Sequence, residues 1–196
     1  MAHYFRPNFF ANTPDILHEY LQTGGRPAFK IRLVLAALLS PSYGIYSGYE
    51  LCENIPLHPG SEEYQDSEKY QLKTRHFSAE GNLNDYITKI NEIRTAFPPL
   101  AHLTNLSFHD IDKDNLMAFS KTLPGHDPIL VVINLNPFHW EEGTLSLDLD
   151  ALGLDSWSTF KVHDLISGDT FEWSGAQSYV RLDPYNEPAH IFQVHR

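Results

Sequence analysis

The sequence predicts an α+β chain in two unlike parts, a strand–helix–helix–strand crossover followed by an antiparallel β-sandwich. Three observations predict it. Two strand-like runs, Tyr4 to Phe10 and Tyr43 to Leu51, flank two helix patterns. The clearest helix, Leu83 to Phe97, stops at Pro98-Pro99. Beyond that pair, short apolar runs alternate with turn residues, the grammar of a sandwich.

The first strand gives way to Asn12-Thr13-Pro14-Asp15. Pro14 suits a first helical turn, and Asn12 or Thr13 can cap it, so a helix is expected over Pro14 to Gln22. Asp15 is then expected where a strand ends and a helix begins, at the positive end of the helix dipole. In a β/α barrel that junction lies on the catalytic face. An acid in a first turn also serves capping, and from this stretch alone both readings stand. Gly24-Gly25 ends the helix, and Pro27 opens a second one through about Leu39. Phe29, Leu33, Ala36 and Ala37 form its stripe, which Val34, Leu35, Leu38 and Leu39 widen until it is apolar nearly all round. Such a helix is expected to be deeply buried. Two strands joined through helices must pair in parallel.

From Cys52 to Asn82 the chain is polar and aperiodic, with Pro56, Pro59 and Gly60. Connections of that length are usually functional or disordered. Tyr64, Tyr70 and Phe77 argue for a packed loop, and its carboxylates read as a solvated face. In the following helix Leu83, Ile87, Ile90, Ile93 and Phe97 recur at helical steps, with Asn82 or Asn84 as cap. Strands are then expected at Leu116 to Leu123, Ile129 to Leu135, Thr144 to Leu149, Thr159 to Asp164, Asp169 to Trp173, Tyr179 to Leu182 and Ala189 to Val194. The domain boundary is placed at Pro98-Pro99, giving residues 1–98 and 99–196.

Composition excludes several partners. Fourteen Lys and Arg face 25 Asp and Glu, a formal net charge of -11, which argues against nucleic acid or an anionic membrane. Cys52 is the only cysteine, so no internal disulfide forms and a reducing cytoplasm is expected. The N-terminus lacks signal-peptide features, and the Leu33 to Leu39 block is too short to span a bilayer. The abrupt entry into a strand suggests a piece of something longer. No phosphate loop, nucleophile elbow or cysteine pair is present, and the 11 histidines lack ligand spacing. Neither a metal nor a cofactor is expected.

Asn12-Thr13-Pro14-Asp15-Ile16 after an apolar strand, Tyr43-Gly44-Ile45-Tyr46-Ser47-Gly48-Tyr49-Glu50-Leu51, and Ser67-Glu68-Lys69-Tyr70 together resemble the maltosyltransferases that use α-maltose 1-phosphate. These GlgE-type enzymes belong to the α-amylase clan. Val162-His163-Asp164-Leu165, Tyr179-Val180-Arg181-Leu182-Asp183-Pro184 and Glu187-Pro188-Ala189-His190 resemble that family's closing β domain. The resemblance covers nearly the whole chain. It implies that residues 1–98 hold strands seven and eight of a (β/α)8 barrel with their helices, and that residues 99–196 are the C-terminal sandwich. It also implies transfer of a maltosyl unit to the non-reducing end of an α-1,4-glucan, such as glycogen or a maltooligosaccharide, with retention and release of phosphate. Retention means two displacements through a covalent glycosyl-enzyme. By motif match Asp15 is the acid that stabilises the transition state, and Lys69 and Tyr70 bind maltose 1-phosphate. No cofactor is implied, and the complete enzyme is expected to be a homodimer. The nucleophilic aspartate and the acid/base glutamate of the family lie on earlier strands, and Glu50 and Glu53 do not replace them.

Two alternatives remain at this level. An ordinary α-amylase-type hydrolase shares the fold and the mechanism but not the phosphate donor. A non-catalytic glucan-binding or interaction module would use Trp140, Trp157 and Trp173 as a stacking platform.

Overall fold

The computed structural model describes residues 4–67 and 72–195. Strand β1 (Phe9–Phe10) pairs in parallel with β2 (Tyr43–Gly44), Phe9 opposite Tyr43 and Phe10 opposite Gly44. Helices α1 (Glu19–Thr23) and α2 (Gly25–Leu39) lie between them, so the expected crossover forms. Both strands are much shorter than expected. Among the described residues the two strands make a sheet of their own, and Phe9 and Phe10 stay 36% and 49% exposed, so no neighbouring ladder or core there holds a longer extended run. After Gly44 the chain tightens into a 3₁₀ turn at Tyr49–Leu51. Gly48 precedes it at φ +95°, where a Cβ would strike the side chains of Glu53 and Arg75.

The helix expected over Pro14 to Gln22 does not form as one unit. Thr13 and Ile16 exchange backbone hydrogen bonds at 3.4 and 3.3 Å, closing a turn with Pro14 and Asp15 at its centre. Proline and aspartate favour such positions as strongly as a helix start. The Leu17 N–H is then taken by the Glu62 carbonyl at 2.5 Å, so it is lost to a helical ladder. Helix α1 begins only after His18, whose Nδ1 accepts from the Tyr20 N–H at 3.1 Å.

Helix α2 is buried as expected, with Ala28, Phe29, Leu33, Val34, Ala37 and Leu38 at 0% exposure. The ring of Phe29 lies 4.9 Å from that of Tyr49, whose hydroxyl donates to the Phe29 carbonyl at 2.5 Å. Helix α3 (Asn84–Ala96) clamps the end of α2. Arg94 donates to the carbonyls of Ser40 and Pro41 at 3.1 and 3.0 Å and sits 4.8 Å over the Tyr43 ring. The cap position falls on Leu83 rather than on the expected Asn82 or Asn84, and Asn82, one residue earlier, accepts from the Asn84 N–H through its Oδ1 at 2.8 Å.

A second 3₁₀ turn at Pro98–Ala101 leads into strands β3 (Leu106–Ile111), β4 (Leu116–Lys121), β5 (Ile129–Asn134) and β6 (Glu141–Ser146). Then follow helix α4 (Leu149–Leu152) and strands β7 (Thr159–Asp164), β8 (Thr170–Ser174), β9 (Gln177–Leu182) and β10 (Ala189–His195). They form one antiparallel sheet in the order β8-β7-β10-β5-β4-β3-β6-β9, curled so that its two end strands approach each other. Strand β6 starts at Glu141, ahead of the expected Thr144. Strand β3 and helix α4 were not expected. Strand β3 is inverted in polarity: Phe108 faces out at 61% exposure, while His109 is buried with its Nε2 2.9 Å from the Ser120 Oγ.

The central strands have two buried faces. Ile129, Val131 and Ile133 of β5, with Phe119 and Ile191, share one core with Phe29, Leu33 and Ala37 of α2. Leu130 and Val132 of β5, with Phe192 and Val194, share a second core with Leu145, Phe160, Val162 and Val180 inside the curl. Polar residues tie the helices to the sheet. Glu187 accepts from Lys30 at 3.1 Å and from the Tyr86 hydroxyl at 2.7 Å, and Lys30 sits 4.5 Å over the Tyr86 ring. Asp164 has a fully buried side chain that accepts from His190 Nδ1 at 2.7 Å and from the backbone N–H groups of Ile166 and Ile191 at 3.1 and 3.3 Å.

Two stability predictions follow from these buried groups. Burial by itself would raise the Asp164 carboxyl, but the bonds from His190, Ile166 and Ile191 outweigh it and hold its pKa below the ordinary 3.8. A lowered folded-state value means that its stabilisation is whole above about pH 4 and declines as pH falls through that value. Asp164→Ala strands buried donors and lowers urea-unfolding stability by about 3 kcal/mol at pH 7, a deficit that narrows in acid. Lys121 is wholly buried with its Nζ 2.7 Å from the His102 carbonyl, and burial, aided by Arg94, lowers it to about 8. Between that value and the ordinary 10.5 the unfolded chain binds the extra proton, so this group makes stability rise with pH there. Unfolding curves of Lys121→Met lack that rise.

Candidate functional site

Because β1 and β2 run in parallel, the chain leaves both strands on the same side of the pair, and Ala11 N–H extends the ladder to the Gly44 carbonyl at 3.0 Å. Asn12 follows, 4% exposed. Its Oδ1 accepts from the Tyr46 N–H at 2.8 Å and its Nδ2 donates to the Tyr64 hydroxyl at 2.7 Å. Asn12 therefore acts as a clamp between the two strand exits and the long connection, rather than as the expected helix cap. The rings of Tyr46 and Tyr64 meet at 5.8 Å. Burial, moderated by Asn12, raises the Tyr64 phenol to about 12, so it stays protonated near neutrality.

Asp15 follows in the exposed turn of Thr13–Ile16. It lies at a strand exit as expected, but without the helix start that the sequence suggested. Lys69 and Tyr70, the other expected substrate-binding residues, lie outside the described residues.

The connection around this turn is packed by polar staples. Gln22 donates to the carbonyls of Leu17 and Ser61 at 2.7 and 2.9 Å, and Asn54 donates to the Gln22 carbonyl at 3.0 Å. Glu53 accepts from Lys73 at 2.9 Å and from Arg75 at 3.0 and 3.2 Å, while Arg75 also reaches the Ser47 hydroxyl at 3.2 Å. Partial burial would raise Glu53, but the bonds from Arg75 and Lys73 prevail and hold it below the ordinary carboxylate value. Glu53 thereby ties Lys73 and Arg75 of the connection together. Glu53, Tyr64, Asp66 and Lys73 line a cavity of about 140 Å³. Cys52 is a poor nucleophile, since burial, eased by Arg26, lifts its thiol to about 11. Among the described residues no group of three His, Cys, Asp or Glu is placed to hold a metal ion. No helix there is long and apolar enough to cross a membrane.

Sequence reasoning placed Asp15 at a strand end, but it did not foresee the contacts that Asn12, Tyr64, Lys73 and Arg75 make. Their partners are 20 to 52 residues apart in the chain, and no local spacing signals such contacts. The three tryptophans are differently employed. Trp140 lies under Arg181 at 4.5 Å, Trp157 is 94% exposed, and Trp173 packs on Phe160 and Phe192.

Comparison with known proteins follows the same outline. The family model for "GLGE, C-terminal" matches residues 108–194. An α-1,4-glucan:maltose-1-phosphate maltosyltransferase of Streptomyces coelicolor is 57% identical over 199 residues, covering 100% of this chain and 29% of that protein. A protein of the same name from Corynebacterium glutamicum is 50% identical over 98% of this chain and 29% of its own length. The chain thus spans under a third of these relatives. Among solved structures, an Anoxybacillus α-amylase superposes on 94% of this chain and 37% of its own, at TM-score 0.64 and 19% identity, a likeness of fold.

Removing the clamp tests the geometry. Asn12→Leu leaves the Tyr64 hydroxyl and the Tyr46 N–H without their partner and costs about 1 to 3 kcal/mol. Faster amide exchange across residues 44–48 and 62–66 than in the unmodified chain is the expected reading.

Proposed function

We propose that this chain, which belongs to the α-1,4-glucan:maltose-1-phosphate maltosyltransferase family, is the C-terminal portion of such an enzyme. Residues 1–98 supply the seventh and eighth strands of its catalytic (β/α)8 barrel, and residues 99–196 its closing β-sandwich. The observation that carries the reading is the match to such enzymes along the whole chain, with Asp15 at the exit of the first of two parallel strands.

In that enzyme a carboxylate on an earlier strand displaces phosphate from α-maltose 1-phosphate and forms a glycosyl-enzyme. The 4-hydroxyl of the glucan's non-reducing end then displaces the carboxylate, and a second acid manages the proton in each step. Asp15 faces the positive charge that develops on the sugar ring in both transition states, and binds sugar hydroxyls. Lys69 and Tyr70 hold the donor, the amine as a compact donor of hydrogen bonds and the phenol as ring and hydroxyl together. No cofactor takes part. The complete enzyme works in the cytoplasm as a homodimer without nucleic acid or membrane. This portion alone is inactive, because the nucleophile and the acid/base lie elsewhere.

Phosphate release from maltose 1-phosphate, measured on the complete enzyme with a maltooligosaccharide acceptor, tests the reading. Asp15→Asn is expected to lower kcat/KM by about 10²- to 10³-fold. Because the side chain sits in an exposed turn, the fold should survive, and circular dichroism checks that. Glucan hydrolysis without any dependence on the phosphate donor would instead point to an α-amylase-type hydrolase.

A further inference from the structure

We propose that the seam between β8 and β9 is a surface binding site for α-glucan chains, separate from the strand exits that carry Asp15. The idea rests on the glucan-acting function proposed above. Strands β8 and β9 end the sheet order, so each pairs on one side only and presents its other edge to the seam. Between them lies a cavity of about 400 Å³ lined by Phe171, Trp173, Tyr179, Arg181, His190 and Phe192. That volume is in the usual range of small-ligand sites.

The chemistry of the lining selects the ligand. Phe171 and Trp173 stand edge-on to Phe192 at 6.2 and 5.2 Å, and His190 stacks on the same ring at 4.9 Å. Phe171 and Tyr179 remain 42% and 63% exposed. These rings offer apolar surface on which the C–H faces of a pyranose can lie. Polar groups are already fixed around them. The Tyr179 hydroxyl donates to Glu142 at 2.5 Å, Arg181 is held 4.5 Å over the Trp140 ring, and His190 is oriented through Nδ1 by Asp164. Aromatic surface beside preset donors and acceptors suits a polyhydroxylated ligand, because hydroxyls can meet both the rim and the unpaired strand edges.

A phosphorylated or otherwise anionic ligand fits less well. Arg181 is the cationic side chain of the lining, Glu142 stands opposite it in the β6–β9 register, and the whole chain carries a net charge of -11. Strand addition by a second copy also fits less well, since the two edges face each other across a concave, ring-lined cleft rather than a flat margin. A neutral glucan remains, the polymer on which the proposed enzyme would act.

Native gels of the 196-residue chain cast with and without glycogen, together with calorimetric titration with maltoheptaose, test the site. Glycogen should retard the unmodified chain. Phe171→Ala and Tyr179→Ala, both at exposed positions, should each weaken binding by about 5- to 10-fold with unchanged circular dichroism. Trp173→Phe provides a third variant that keeps the packing on Phe192. Absence of retardation, or equal affinity in all variants, overturns the proposal. So does a dimer in sedimentation that these substitutions dissociate while glucan binding is unaffected. A complete enzyme that transfers maltosyl units while the variants bind glycogen normally sinks the seam site alone. Seam-dependent binding in an enzyme that ignores maltose 1-phosphate sinks the enzymatic reading alone.

Discussion

Every residue of β5 is buried, and a strand without an exposed face must be covered twice. One cover is α2, whose Phe29, Leu33 and Ala37 meet Ile129, Val131 and Ile133 in a shared core. The other is the sheet itself, which curls until Phe160, Val162 and Val180 close over Leu130 and Val132. Each fully buried branched side chain contributes roughly 1.5 to 3 kcal/mol, so the two cores together dominate the fold. Pairing of β1 with β2 adds little by comparison. Its position depends on α2, which the sheet holds in place.

That constraint explains how the candidate site is built. The strand exits at Asn12 and Tyr46 sit at the ends of a crossover whose connecting helix is fixed to the curled sheet. Fine positioning comes from polar contacts, namely the Asn12 clamp on Tyr64 and the Glu53 anchor for Lys73 and Arg75. A loop of this length would otherwise move freely. Here its backbone is secured by side chains of Gln22, Asn54 and Asn12. The exposed Asp15 is carried on a turn with both ends tied: Thr13 and Ile16 bond each other, and Leu17 bonds Glu62.

The closing β domain shows how polar motifs serve architecture. The Val162-His163-Asp164-Leu165 and Glu187-Pro188-Ala189-His190 segments read in sequence as a family signature. In the structure Asp164 and His190 bond each other, and Glu187 reaches across to Lys30 and Tyr86. Burial raises the Glu187 carboxyl above its ordinary value despite Lys30, which marks how deeply that junction is packed. One pair braces the sheet and the other joins it to α2 and α3. Beside them the seam between β8 and β9 gathers aromatic residues from three strands that no single stretch of sequence brings together.

Local pattern was enough wherever local physics decides. The all-apolar α2, the helical stripe of α3, the Pro98-Pro99 stop and the short strands β4, β5, β7, β9 and β10 follow from periodicity, apolar runs and breakers. The strand-end location of Asp15 was legible for the same reason, while the family signature was legible only as a resemblance of motifs. Where two local solutions have similar energy, tertiary contacts chose. Pro14-Asp15 fits a turn or a helix start, and the bond from Leu17 to Glu62 selected the turn. His109 and Phe108 exchanged the sides that polarity would assign them, because Ser120 offers the imidazole a buried partner. The β1–β2 ladder stopped at two residues per strand with no third strand beside it among the described residues, and the Glu53–Lys73–Arg75 anchor arose from chain segments 20 and 22 residues apart. Propensity and periodicity act over a few residues, so the sequence by itself set most of the elements, and its motifs carried the resemblance, while long-range burial and hydrogen bonding set how the elements meet.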